Sequence, residues 1–363
     1  MVAGGSVLAV AASGALGGAE RVLVEWLAAV EAPVVLACPP GPPADAAVAA
    51  GITVVTIPRR PLRRRGRTAR AAADIAALGR DVARLARRHR PALVVASGQR
   101  PLLAAASAPL AGARMLALLH DLPPGPAPLD AALRAATTRA AAIVATSGAI
   151  ARAADPAGRR LARTHVVHPG VDLERWAAVP PPAGTSRALV LGALVPWKRA
   201  DLALEVATRL PGLMLDFAGA SLPGDAPGYT ETLFERANRP DLAQRVRFLG
   251  GRDDPRPALA QADLLLHCAD REPFGLALVE ALAAGRPVVA AAAGGPLELV
   301  TPACGRLFPP GDAAAAAAAV TALLSDPPAP EAIRARAAEF DGRAAARRFA
   351  AIVEQAAAHA DRG

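Results

Sequence analysis

The sequence predicts an α/β protein of two doubly wound domains, each a parallel sheet covered by helices. Strand-like and helix-like stretches alternate from end to end, the pattern of parallel strands joined by helical crossovers. At 363 residues the chain exceeds one comfortable core and suits two domains of middling size. Residues 173–186, with Pro180, Pro181, Pro182 and Gly184, read as a linker that divides the alternation in two.

The first series holds apolar runs at Val7–Ala12, Val34–Ala37, Thr53–Ile57, Ala92–Ala96, Met115–Leu119, Ile143–Ala145 and His165–Val167, separated by helical stretches such as Ala71–Arg88. The second holds Ala188–Leu191, Leu213–Phe217, Arg247–Leu249, Leu264–His267, Val288–Ala291 and Arg306–Phe308. The expected division is a first domain over 1–172, a second over 187–340, and a C-terminal helix in 341–363 that packs back on the first. Ligands of doubly wound sheets bind beyond the carboxyl ends of the strands. A cleft where the two domains face each other is therefore the expected site.

Hydrophobic residues make up 53% of the chain and aromatics 3%, so the cores have to be built from Ala, Val and Leu. No apolar segment supplies the roughly 20 residues of a membrane span, and the Ala run 313–324 reads as a helix too short to cross. The apolar first twenty residues have no Lys or Arg ahead of them and run straight into Glu20 and Arg21. A cytoplasmic protein without a signal peptide is expected. Cys38, Cys268 and Cys304 lie far apart and His pairs at ligand spacing are missing, so neither a disulfide framework nor a metal site is expected.

The net charge of +9 is uneven. Residues 1–175 hold 22 Lys/Arg against 11 Asp/Glu and the remainder 19 against 21, giving +11 and −2. Seven arginines lie between Arg59 and Arg70. They fit a peripheral contact with an anionic membrane face, or simply a solvated loop. Nucleic acid is not an expected partner, because no base-stacking aromatics are interleaved with the charge.

The chemistry concentrates in Glu272-Pro273-Phe274-Gly275-Leu276-Ala277-Leu278-Val279-Glu280. Leu276 to Ala284 reads as a helix stopped by Gly285, with Pro273 and Gly275 shaping its start. The open amides of a helix start attract anions, whereas the carboxylates of Glu272 and Glu280 suit hydroxyls on either side. A phosphate between two sugars fits that layout. Taken alone, the two acids also fit a residue favouring the helix dipole and an ordinary exposed helix residue.

Lys198 is the only lysine, beside 40 arginines, and it follows a strand and the turn Gly192-Ala193-Leu194-Val195-Pro196-Trp197. About 4 Å from a phosphate oxygen it would contribute on the order of 4 kcal/mol at an effective dielectric near 20. Gly14, Gly17 and Gly18 lie in the loop joining the first strand to the first helix, where glycines let backbone approach a ligand. His120 ends the strand Met115–Leu119 and is the best placed of six histidines for proton transfer at a reacting hydroxyl. It equally fits a histidine that caps a strand.

Together these motifs resemble the retaining glycosyltransferases of family 4, with the GT-B fold of two Rossmann-like domains. The resemblance covers nearly the whole chain. Its strongest part is Glu-x7-Glu at 272–280, preceded by Ala262-Asp263-Leu264 and followed by Gly285-Arg286-Pro287 and Gly294-Gly295-Pro296. Gly17-Gly18-Ala19-Glu20, His120-Asp121, Pro169-Gly170-Val171-Asp172, Lys198 and Phe248-Leu249-Gly250 support it.

The resemblance implies transfer of a hexose from a nucleoside-diphosphate sugar to a hydroxyl acceptor (a lipid, glycan or small molecule), with retention of configuration and with neither metal nor cofactor. Glu272 would contact hydroxyls of the transferred sugar, and Glu280 the ribose. Backbone amides around Phe274, Gly275 and Leu276 would meet the diphosphate and sugar, with Lys198 neutralising the leaving group. Gly17 and Gly18 would let the diphosphate approach the first domain, and His120 would lie by the reacting centre. Family members carry Arg in the turn where this chain has Ala193. Loss of a charged hydrogen bond there costs roughly 1.5–3 kcal/mol, about tenfold to over a hundredfold in rate. The alternatives are an inverting transferase, phosphorylase or epimerase on the same fold, or a nucleotide-binding protein with weak turnover.

Overall fold

The computed structural model describes residues 5–60, 68–123, 125, 127–181, 184–221, 227–252 and 254–358. The chain forms two compact units, one of residues up to Pro169 together with Arg343 onward, the other Gly170–Gly342.

The first unit carries seven parallel strands: β1 Val7–Val10, β2 Val34–Cys38, β3 Thr53–Thr56, β4 Leu93–Ser97, β5 Arg114–Leu119, β6 Ala142–Ala145 and β7 Thr164–Val166, in the order β3-β2-β1-β4-β5-β6-β7. Strands β1, β4 and β6 are buried throughout, as expected of runs covered by helices on both faces. Their partners include the helices Thr68–His89, Gln99–Ser107 and Gly148–Ala154. The helix Gly342–Ala358 also belongs here, and its Phe349 stacks on Trp26 with ring centroids 4.9 Å apart.

The second unit carries six parallel strands: β8 Arg187–Leu191, β9 Met214–Ala218, β10 Val246–Gly250, β11 Leu264–His267, β12 Val288–Ala291 and β13 Gly305–Phe308, in the order β10-β9-β8-β11-β12-β13. One core lies under the helices Ala200–Arg209 and Ala313–Ser325, around Phe217 and Phe308. The other lies under Leu276–Ala283, around Leu278, Phe274 and Phe340. The Ala run is a helix because Asp312 caps it, accepting from the Ala315 amide at 2.9 Å, and alanine loses no side-chain entropy on folding.

The stretch expected as a linker departs from that reading. Asp172 caps the helix Leu173–Ala177, accepting from Arg175 N at 3.2 Å, and Trp176 is buried against Phe340 and its neighbours. Burial of a large aromatic outweighs the local proline signal further along. Arg286, with no exposed surface, donates to the carbonyls of Leu259, Ala262, Ala284 and Pro180 and so anchors the rest of that stretch.

The arginine run falls mostly outside the described residues. Within them, Arg60 is paired to Asp81 at 2.6 Å. Among the described residues no helix is long and apolar enough to cross a membrane.

Candidate active site

In each sheet the order reverses beside its first strand, so the loops leaving two neighbouring strands part and open a crevice. In the second unit those strands are β8 and β11, paired at Leu264 and Ala188. One loop ends in the single turn Pro196–Lys198, and the other runs from Cys268 to Gly275. They are tied by Asp270 N donating to Trp197 O at 3.3 Å. Lys198 and Glu272, 74 residues apart, meet there as an ion pair. Lys198 Nζ also sits 4.4 Å from the Trp197 ring centroid.

Glu272 is 6% exposed, and its carboxylate has a second partner. His267, the last residue of β11, places Nε2 2.9 Å from Glu272 Oε2. Burial alone would push the Glu272 carboxyl up, but Lys198 and His267 outweigh burial and hold it well below the usual range. Burial lowers His267, whose contact with Glu272 opposes the shift without reversing it. Burial thus favours the neutral imidazole.

The Glu272 backbone is fixed from the other side. Gly295 N donates to Glu272 O at 2.9 Å, and Gly294 has φ +74°, where a Cβ would lie 2.1 Å from that same oxygen. Gly275 caps the helix Leu276–Ala283 in the left-handed conformation at φ +104°. The Leu278 amide donates to Gly275 O at 2.9 Å, and the Leu276 and Ala277 amides before it are suited to an anion, since the first amides of a helix lack carbonyl partners within it. Phe274 is buried, its ring edge-on to Phe340 at 6.1 Å. Its predicted contribution therefore rests on backbone, not on the ring. Glu280, half-buried, lies further along the same helix.

Arg199, beside Lys198, does not take the place of the arginine missing at Ala193. It holds φ +54°, pairs with Asp201 at 3.1 Å and reaches Asp270 at 3.7 Å. Its guanidinium is thus engaged by two acids of its own surroundings.

In the first unit, the loops after β1, β4 and β5 line a pocket of about 320 Å³ that includes Ser13, Glu20, Gln99, Arg100, His120 and Asp121. His120 packs over Gly98, which has φ +84° and where a Cβ would sit 2.9 Å from His120 Nε2. His120 Nδ1 is 3.3 Å from Asp121 Oδ2, an ion-pair contact rather than an aligned hydrogen bond. Burial works against protonation of His120, yet Asp121 and Glu20 together raise its pKa above the ordinary imidazole value. Gly17 and Gly18 begin the helix here, but the Gly17 amide is not open. It donates to Glu20 Oε2 at 3.0 Å, because an acid in the first turn can fold back on its own helix start.

The sequence reading placed Lys198 and Glu272 at strand ends of one sheet, and the structure joins them. It left His267 among the remaining histidines. The criterion that singled out His120, a polar residue closing a strand, applies to His267 as well.

Comparison with known proteins gives this geometry a context. The family model described as Glycosyltransferase Family 4 matches residues 16–175, and that described as Glycosyl transferases group 1 matches residues 176–340. The chain belongs to the family 4-like glycosyltransferases of GT-B fold. Among solved structures, Anabaena HepE in complex with UDP superposes on this glycosyltransferase with a TM-score of 0.81 at 25% identity, over 96% of this chain and all of that one. HepE in complex with UDP-glucose gives 0.77 at 26% identity, over 98% of both chains. Sucrose-phosphate synthase from Thermosynechococcus elongatus shares the fold, with a TM-score of 0.78 at 19% identity over 97% of this chain and 98% of that one. D-inositol 3-phosphate glycosyltransferase of Mycobacterium tuberculosis is 36% identical over 153 residues, 39% of this chain. The glycosyltransferase thus matches only 31% of the length of that relative.

Proposed function

We propose that this glycosyltransferase moves a hexose from a nucleoside-diphosphate sugar to a hydroxyl acceptor, retaining anomeric configuration and using no metal. One observation carries the reading: the only lysine and a buried glutamate meet beside an open helix start, at the reversal point of the second sheet. The ammonium serves the diphosphate, the helix amides its oxygens, Glu272 the sugar hydroxyls and Glu280 the ribose. Gly17 and Gly18 are assigned to the diphosphate, and His120 to the reacting centre. With Lys198 and amides neutralising the leaving group, the departing phosphate oxygen takes the acceptor proton on the face it leaves, so no protein nucleophile is required. The complexes of HepE with UDP and UDP-glucose make UDP-glucose the first donor to test.

Incubation with UDP-glucose and a panel of polyol, glycan and lipid acceptors releases UDP on this reading, in the presence of a chelator as well. Unchanged release from Lys198→Ala and Glu280→Ala would refute the assignment of the site. A second reading, a nucleotide-binding protein with weak turnover, is favoured by Ala193 and by the engagement of Arg199 with Asp201 and Asp270. Tight UDP binding by calorimetry without product on any acceptor would establish it. The acceptor reading includes reversible attachment to anionic membrane through Arg59–Arg70, carried by sequence charge. Cosedimentation with anionic vesicles that weakens as salt rises is its test.

A further inference from the structure

Both partners of the buried Glu272 carboxylate fall on the same oxygen. Lys198 Nζ and His267 Nε2 each meet Oε2, and no described residue bonds to Oε1. Oε1 is not sealed from solvent, so a ligand hydroxyl can reach it. The arrangement thus reserves Oε1 for a ligand donor. Lys198, 20% exposed at its side chain against 4% for His267, is the less enclosed of the two partners. An ammonium can turn on its flexible stem toward an arriving anion, whereas a histidine ending a central strand cannot follow.

We propose that His267 is the positioning residue of Glu272: its Nε2–H keeps Oε2 anchored and Oε1 aimed at a sugar hydroxyl when Lys198 turns to the diphosphate. The inference rests on the donor reading above and deepens it. A neutral imidazole with its proton on Nε2 fulfils this role, which burial of the ring favours. His267 touches no substrate; it acts through Glu272. The contact also explains how a carboxylate in an apolar surrounding stays ionised once its ammonium partner has another anion to serve.

The test compares UDP with UDP-glucose on intact protein by calorimetry, using His267→Phe, which lacks a donor, and His267→Gln, whose amide can replace Nε2–H. For His267→Phe the expected result is UDP affinity within twofold of wild type and UDP-glucose affinity and turnover down about tenfold. Its acid limb of activity moves to higher pH, since Glu272 has lost a donor. His267→Gln recovers most of both losses. Parallel loss of UDP and UDP-glucose affinity in His267→Phe, or a His267→Gln protein of wild-type melting temperature that is as impaired as His267→Phe, overturns the proposal. Wild-type protein that binds neither UDP nor UDP-glucose overturns instead the donor reading on which it stands.

Discussion

The ammonium of Lys198 and the carboxylate of Glu272, 74 residues apart, are ion-paired in the second unit. Each is what the other lacks in the absence of a ligand: a counter-charge for a buried acid, and an anion for the only ammonium. On the proposed reading Lys198→Met removes a donor to the leaving diphosphate, and the expected loss is about 10²–10³ in kcat. A double-mutant cycle of Lys198→Met with Glu272→Gln, read by urea unfolding, is expected to return a coupling of about 1–3 kcal/mol. Additive effects would show that the pair contributes no mutual stabilisation.

Acid stability follows from the same cluster. Glu272 has a folded pKa depressed below its ordinary 4.5. Its stabilisation is therefore complete above about pH 4.5 and disappears as pH falls through the depressed value. His267 also has a depressed folded pKa, below 6.5. Below that pH the unfolded chain takes up a proton that the native state refuses, so stability drops with falling pH. Melting curves of wild type and His267→Gln from pH 7 to 5 are expected to show the steeper decline in wild type; parallel declines would refute the assignment.

Ala193→Arg adds a cation to the turn before Lys198. Arg199 does not fill that role because Asp201 and Asp270 engage it. The substitution is expected to raise UDP release from UDP-glucose by about tenfold or more, the value of one charged hydrogen bond. No gain would mean that this turn does not face the leaving group.

Gly294→Ala tests the support of the Glu272 loop. A Cβ there would sit 2.1 Å from Glu272 O, at a φ of +74°. Overpacking and left-handed strain together are expected to cost about 3 kcal/mol by urea unfolding, with UDP-glucose binding weakened alongside. A variant of unchanged stability would show that the loop accommodates the methyl group by moving.

Much of this arrangement was legible in local sequence. Alternation of apolar runs with helical stretches fixed thirteen strands in two series, because strand and helix periodicities are properties of short segments. The same alternation put Lys198, Glu272 and His120 beyond strand ends. It also put His267 at the end of a strand, but a histidine closing a strand acquires meaning only from its neighbour, here Glu272. Pairing of β8 with β11 across the intervening β9 and β10 is a long-range choice of strand order, and that choice brings Lys198 and His267 onto one oxygen of Glu272. Only the tertiary structure decided that Arg199 is held by Asp201 and Asp270, that Glu20 closes on the Gly17 amide, and that Trp176 turns a Pro-rich stretch into part of a core. In each case the outcome depends on which charge or apolar surface arrives from elsewhere in the chain, and local sequence does not encode that.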